Sequence, residues 1–477
     1  MTRRSYKTNL IHAFLLLILL CVPVYPVVAS SHLSVPDKLR YPQLQYKLPT
    51  AERIVLGNGM IIYFLEDPEL PLVTVNALIR SGTMDDPKDK EGVAELTTYL
   101  MRTGGTQKLS SNDIDKQLDG MAASLSIGAT LDSAQIDFSL LSKDIDRGLD
   151  LLSQIIIMPS FEQKKFMLAK ELKSEELRRL KDDPQKLAFR EFNRLIYSND
   201  PRGRFSSSRS LKNIEREDLI TFHGQFFRPR NIMFAITGDI TREAALNKIQ
   251  YYFGNWLSSG DPVDHPAPAK NSLTGLFYIN KEIPQSTIIS GQFAPGKDDP
   301  DYYIFTVLDF IIGSGGFPSR ITSAVRNNEG LAYSAGSLYR ARTSHGIFAS
   351  YAFTKMESTF QTLALIDSII ENARNNTITA NETQWAQKSI NNGFIFSFTS
   401  PEQIAWQQMK IEYNRLPADF LATYRHKIES IKVDDLNKAA AKYLHKNNKI
   451  TLILGNVEKF GQPAMNIGKP IFITPED

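Results

Sequence analysis

The chain has 477 residues, 42% of them hydrophobic and 22% charged, with a formal net charge of +3. That length exceeds what one ordinary core absorbs and implies two or more domains, and the composition is that of a globular protein rather than a disordered one. Arg3, Arg4 and Lys7 all fall in an N-terminal stretch without acidic residues, so the chain beyond it is neutral and offers no electrostatic case for nucleic-acid binding.

In chain order, residues 1–29 read as an export signal. The basic start is followed by an apolar stretch from Ala13 to Val24, then by Val27-Val28-Ala29, with small residues where a signal peptidase cuts. The apolar run is shorter than the roughly 20 residues a spanning helix needs. The expected product is therefore periplasmic and free of the membrane once the signal is removed. Cys21, the single cysteine, leaves with it, so no disulfide, cysteine metal site or thiol nucleophile is expected.

After an extension over 30–50, a first domain is expected over 51–255. Ile54-Val55-Leu56, Gly57-Asn58-Gly59 and Met60 to Phe64 read as a hairpin with Asn-Gly at the turn. Leu72 to Ile79 reads as a strand, Glu91 to Met101 as a helix, and Phe161 to Leu180 as a long charged helix interrupted at Asp182-Asp183-Pro184. Ile232 to Gly238 is a late strand ending in glycine. Residues 256–271, rich in Pro, Gly, Ser and Asp, read as a linker. The second domain, 272–477, repeats the plan, with a strand at Thr287 to Phe293, a helix at Tyr303 to Ile312 and a late strand at Ile450 to Gly455. The segments starting at Pro71 and Pro284 align loosely and both end in Asp-Asp-Pro, which points to a duplicated α+β domain. The acid pairs Asp85-Asp86, Asp182-Asp183 and Asp298-Asp299 sit beside prolines and read as turn and cap residues.

Two segments carry a more specific signal: Arg80 to Thr106, RSGTMDDPKDKEGVAELTTYLMRTGGT, and Lys170 to Phe189, KELKSEELRRLKDDPQKLAF. They resemble the zinc-site region of the pitrilysin/insulinase family, which includes the mitochondrial processing peptidase, and the resemblance spans the chain beyond the signal. It implies an α+β fold of two homologous domains, each a mostly antiparallel sheet packed with helices. Active members carry His-x-x-Glu-His on the first helix. Its two imidazoles, one helical turn apart, hold zinc, its Glu is the base for the zinc-bound water, and a distant Glu completes the site. Here the corresponding positions are Glu95, Thr98 and Tyr99, with the distal position kept as Glu176 beside Glu175. A threonine hydroxyl is no base at neutral pH, and two carboxylates without imidazole make at most a weak hard-ion site. No two histidines beyond the signal lie three to five residues apart. His223, among aromatics, reads as packed and His265, in the linker, as solvated.

Ile312 to Tyr339, IGSGGFPSRITSAVRNNEGLAYSAGSLY, resembles the family's C-terminal motif, in which an Arg and a Tyr seven residues apart help bind the scissile peptide. Arg326 and Tyr333 have that spacing, and Gly315, Gly316 and Ser319 would form a substrate loop; no Walker pattern follows Gly313. The resemblance thus implies a chain that lacks the metal machinery and keeps the peptide-binding one. It would hold no cofactor itself, pair with a homologous zinc-bearing subunit, and act on peptide or unfolded polypeptide, with Arg326 and Tyr333 working in trans. The alternatives are an inactive peptide-binding or scaffold protein, and a lone metallohydrolase built on Glu95 and Glu176.

Overall fold

A computed structural model describes residues 49–257, 260–268, 273–445, 448–461 and 469–475; the export signal lies outside the described residues. Strands β1 (Glu52–Val55) and β2 (Ile61–Glu66) form the expected hairpin. Gly59 at its turn has φ +88°, a backbone that glycine alone adopts freely. The first sheet adds β3 (Leu72–Ile79), β4 (Ser124–Ala129), β5 (Ala134–Leu141) and β6 (Ile232–Gly238), in spatial order β1-β2-β6-β3-β5-β4. Only β2 and β6 run parallel.

The second sheet repeats this plan. It contains β7 (Gly275–Asn280), β8 (Gln285–Ala294), β9 (Ala332–Ala341), β10 (Gly346–Lys355), β11 (Ile450–Gly455) and the short β12 (Ile471–Phe472), in order β12-β7-β11-β8-β10-β9. Strand β11 runs parallel to β7 and antiparallel to β8, as β6 does between β2 and β3. Taken in order, β7 to β11 therefore occupy the places of β2 to β6. The protein is an α+β duplication of two mostly antiparallel six-stranded sheets, and β4 and β9 are equivalent open edges.

The halves exchange a helix. Leu187, Ala188, Phe192, Leu195 and Ile196 line one face of the Pro184–Tyr197 helix in the first half, yet they pack against Ile289, Leu452 and Leu454 of the second sheet. Reciprocally, Ala405 and Met409 of the Pro401–Tyr413 helix pack against Tyr63, Leu78, Met233 and Ala235 of the first sheet. This explains why β3 and β6 are buried on both faces. Val73, Val75 and Ile79 join the large core of the first half, while Leu78 faces the borrowed helix. Polar contacts follow the same crossing. Arg53 makes a two-pronged pair with Glu412 at 2.6 and 2.7 Å, Arg80 donates to the Tyr413 carbonyl at 2.6 Å, and Tyr413 donates to the Asp132 carbonyl at 2.6 Å. Residues from Leu48 onward accordingly form one compact unit.

Candidate functional site

The start of the Val93–Thr103 helix is held by Asp86, whose buried carboxylate accepts the N–H groups of Gly92 and Ala94 at 2.7 Å each. An acid here complements the partial positive charge of the helix start. Burial nevertheless raises its pKa to about 7, against those two hydrogen bonds. Asp183 likewise caps its helix, accepting the Lys186 N–H at 3.0 Å, so these acids serve as caps rather than as an acid/base pair. Val93, Leu96, Leu100 and Met101 bury one side of the helix and fix the direction of the other. Glu95, Thr98 and Tyr99, at i, i+3 and i+4, then face the Gln163–Leu180 helix across a cavity of about 360 Å³. Glu176 lines the opposite wall, and Ile127 to Ala129 of the β4 edge form the floor.

Four positions of the expected site thus converge, but the centre is held by a residue the sequence reading had not singled out. Lys173 Nζ lies 3.1 Å from Glu95 Oε2 and 3.0 Å from Glu176 Oε2. Burial alone would lower the Lys173 pKa, but the two carboxylates outweigh it and the net shift is upward, so the ammonium is firmly charged. Thr98 is buried, and its hydroxyl donates to the Ala94 and Glu95 carbonyls at 3.0 Å, which ties it to its own helix. Tyr99 is partly exposed at the rim. These residues do not fit zinc. No imidazole is present, and the carboxylates are engaged by an ammonium. Among the described residues no group of three or more His, Cys, Asp or Glu is arranged to hold a metal.

In the second half, Arg326 sits on a π-helical turn (Thr322–Asn328) and Tyr333 opens edge strand β9. The guanidinium lies 4.3 Å from the centre of the Tyr333 ring and 4.6 Å from that of Phe317. Tyr333 is 82% exposed and Phe317 59%, so the stack stands at the surface. Ser319 does not. It is fully buried, and its hydroxyl reaches the Gly316 and Gly313 carbonyls at 2.6 and 3.2 Å, so it shapes the loop instead of presenting itself to a ligand. Gly315 is required by packing, because a Cβ there would lie 2.6 Å from the Trp385 ring. Gly316, at φ +76° with open space around it, is the member of the loop that faces outward.

Two histidines complete the account. His223 is packed as expected, stacked on Phe227 and bonded to the Ile156 carbonyl at 2.8 Å. His265 is not a solvated linker residue; it is mostly buried and lies 2.7 Å from Asp85 Oδ1.

Comparison with known proteins places this geometry. Residues 62–206 match the family model described as Insulinase (Peptidase family M16), and residues 213–390 match that described as Peptidase M16 inactive domain. The chain belongs to peptidase family M16. An uncharacterized zinc protease of Rickettsia bellii is 23% identical over 301 residues, covering 63% of this chain and 72% of that protein. A protein of Helicobacter pylori named non-peptidase homolog YmxG is 23% identical over 425 residues, covering 87% of this chain and 96% of its own. A crystal structure of a peptidase M16 inactive domain from Pseudomonas fluorescens superposes with TM-score 0.79 at 23% identity, covering 87% of this chain and all of that one, which supports the fold. Within the M16 framework, Lys173 is the residue to have sought. It lies one helical turn before Glu176, on the same helix face, and that spacing is visible in the sequence.

Proposed function

We propose that this protein is the non-zinc-binding subunit of an exported, periplasmic two-chain M16 peptidase, in which a homologous partner holds the metal. The observation that carries this reading is Lys173, whose ammonium stands between Glu95 and Glu176 where a hydrolytic member needs a divalent ion. The lack of a base at Thr98 and the naming of one similar protein as a non-peptidase homolog support the same reading. The zinc of the partner would supply the activated water; this chain would bind and orient the peptide.

Peptide would add to an open sheet edge as an extra strand, the mode that exposed edges favour. Arg326 would hold a backbone carbonyl. The Tyr333 hydroxyl, exposed at the start of β9, would donate to the developing oxyanion on substrate presented by the partner. The decisive experiment mixes this chain with a zinc-bearing M16 homologue encoded beside it. Neither chain alone should cleave peptide efficiently, the mixture should, and Tyr333→Phe should lower kcat of the mixture by about 10²-fold. Full activity of the Tyr333→Phe mixture would remove the role in trans. Peptide binding without cleavage in every mixture would favour the alternative, a peptide-binding scaffold of the same fold.

A further inference from the structure

A second cavity, of about 370 Å³, opens where the two halves meet. It shares Glu95 and Ala129 with the cavity at the degenerate metal position, so the two adjoin at the end of β4. Four arginines line it: Arg202 and Arg204 from the segment after the Pro184–Tyr197 helix, Arg340 from the end of β9 and Arg342 from the turn that follows. Two of these charges are answered within the protein. Arg202 pairs with Asp200 at 2.9 Å, and Arg342 pairs with Asp132. The other two are answered only in part or not at all. Arg204 pairs loosely with Glu91 at 3.8 Å and donates to the Met84 carbonyl at 3.2 Å, while its Nε is buried without a hydrogen-bond partner. The side chain of Arg340, an exposed residue of β9, makes no ion pair or hydrogen bond among the described residues.

The carboxylates lining the cavity are themselves engaged. Asp86 accepts two helix N–H groups, and Glu95 holds Lys173. Unanswered guanidinium donors in a confined space are suited to a carboxylate, which they meet in two-pronged geometry.

We infer that this cavity is a specificity site for a carboxylate on the bound peptide, either an acidic side chain or the C-terminal carboxyl. The inference rests on the peptide-binding reading above and deepens it. The adjacency of the two cavities supplies the connection: a peptide strand paired to β4 ends its run at Ala129, which lines both cavities. Arg202 and Arg342, locked by their own partners, fix the walls, while Arg204 and Arg340 hold the ligand group.

The test is fluorescence-polarisation binding of extended Val/Thr-rich decapeptides to the full mature chain. One glutamate is stepped along the amidated sequence, with a glutamine counterpart at each position, and a further all-neutral peptide is compared with a free and an amidated C-terminus. One carboxylate-bearing peptide should bind about tenfold more tightly than its neutral counterpart. The glutamate series and the free C-terminus distinguish the two sources. Arg340→Gln, at an exposed position that folding does not depend on, should abolish that preference and leave the affinity of the neutral peptide unchanged, and Arg340→Glu should reverse it. Equal affinity of acidic and neutral peptides for the parent chain, or an unaltered preference in Arg340→Gln, overturns the carboxylate site while peptide binding stands. Absence of binding by every peptide overturns both readings.

Discussion

Replacing Lys173 by methionine keeps the aliphatic stem and removes the charge. Glu95 and Glu176 each lie about 3 Å from the Lys173 nitrogen, so their carboxylates are no more than about 6 Å apart. Two unit charges at about 6 Å repel by about 3 kcal/mol at an effective dielectric of about 20. In the parent the ammonium's attraction to both carboxylates offsets that repulsion, and in the variant nothing does; the side chain of Glu176 is 69% exposed and that of Glu95 35%, so solvent screening reduces the net loss to about 1–2 kcal/mol. Urea denaturation of parent and Lys173→Met at pH 7 measures this as a fall in midpoint at constant m-value. One control belongs with it. Millimolar Ca²⁺ or Mn²⁺, the ions that carboxylates accept, should restore part of the loss in the variant and do nothing for the parent. A variant as stable as the parent at pH 7 and indifferent to cations would refute the reasoning, as would a parent that gains stability from stoichiometric zinc.

The exchanged helices predict one unfolding transition for both halves. Phe192→Ala should cost about 3–5 kcal/mol and Met409→Ala about 2–5 kcal/mol, each lowering the stability of the whole unit, since both side chains are fully buried against the sheet of the other half; two separate calorimetric transitions would contradict this. His345, buried beside Tyr197, Arg202 and Arg342, has its pKa lowered to about 4, mainly by burial and then by the two arginines. The folded state therefore resists the proton that the unfolded chain accepts below about pH 6.5, so stability should fall as pH drops from about 6.5 to about 4, by up to about 3 kcal/mol. His345→Gln should flatten that limb of the stability–pH profile; an unchanged slope would show that His345 does not cause it.

Much of the architecture was legible locally. Strands β3, β6 and β11 begin and end where their apolar β-branched runs do, and Asn-Gly marks the first hairpin, because these signals depend on neighbours in the chain. The expected Tyr303 to Ile312 helix becomes a helix over Tyr302–Asp309 that widens into a π-helical turn (Phe310–Ser314) against β9, where a Cβ at Gly313 would meet the Ser337 backbone nitrogen at 2.3 Å. That is a tertiary demand, invisible to periodicity. The apolar face of the Pro184–Tyr197 helix was readable too, but nothing in its pattern says that it covers the sheet of the other half. For the same reason Lys173 was findable as the i−3 neighbour of Glu176, whereas its second partner, Glu95, comes from a helix far earlier in the chain. Short-range spacing shows which residues share a face, and the fold decides what that face meets.

The two surfaces of the duplication handle charge in opposite ways, and this bears on what the protein can do. In the first half the retained carboxylates would repel each other in a confined space, so keeping both without a metal requires a counter-ion. Lys173 supplies one from the helix that carries Glu176, at little extra cost in ordering because the backbone already holds it there. The result is a self-contained cluster, its two carboxylates bridged by one ammonium, with little to offer a metal. In the second half Arg326 is stacked between two exposed rings and has no carboxylate partner among the described residues. Stacking holds the guanidinium in place but leaves its N–H donors unanswered, and an immobilised donor set at a surface is what recognition of a peptide carbonyl requires. That asymmetry, a counter-ion at one surface and a stacked guanidinium without a carboxylate partner at the other, supports the binding role proposed above.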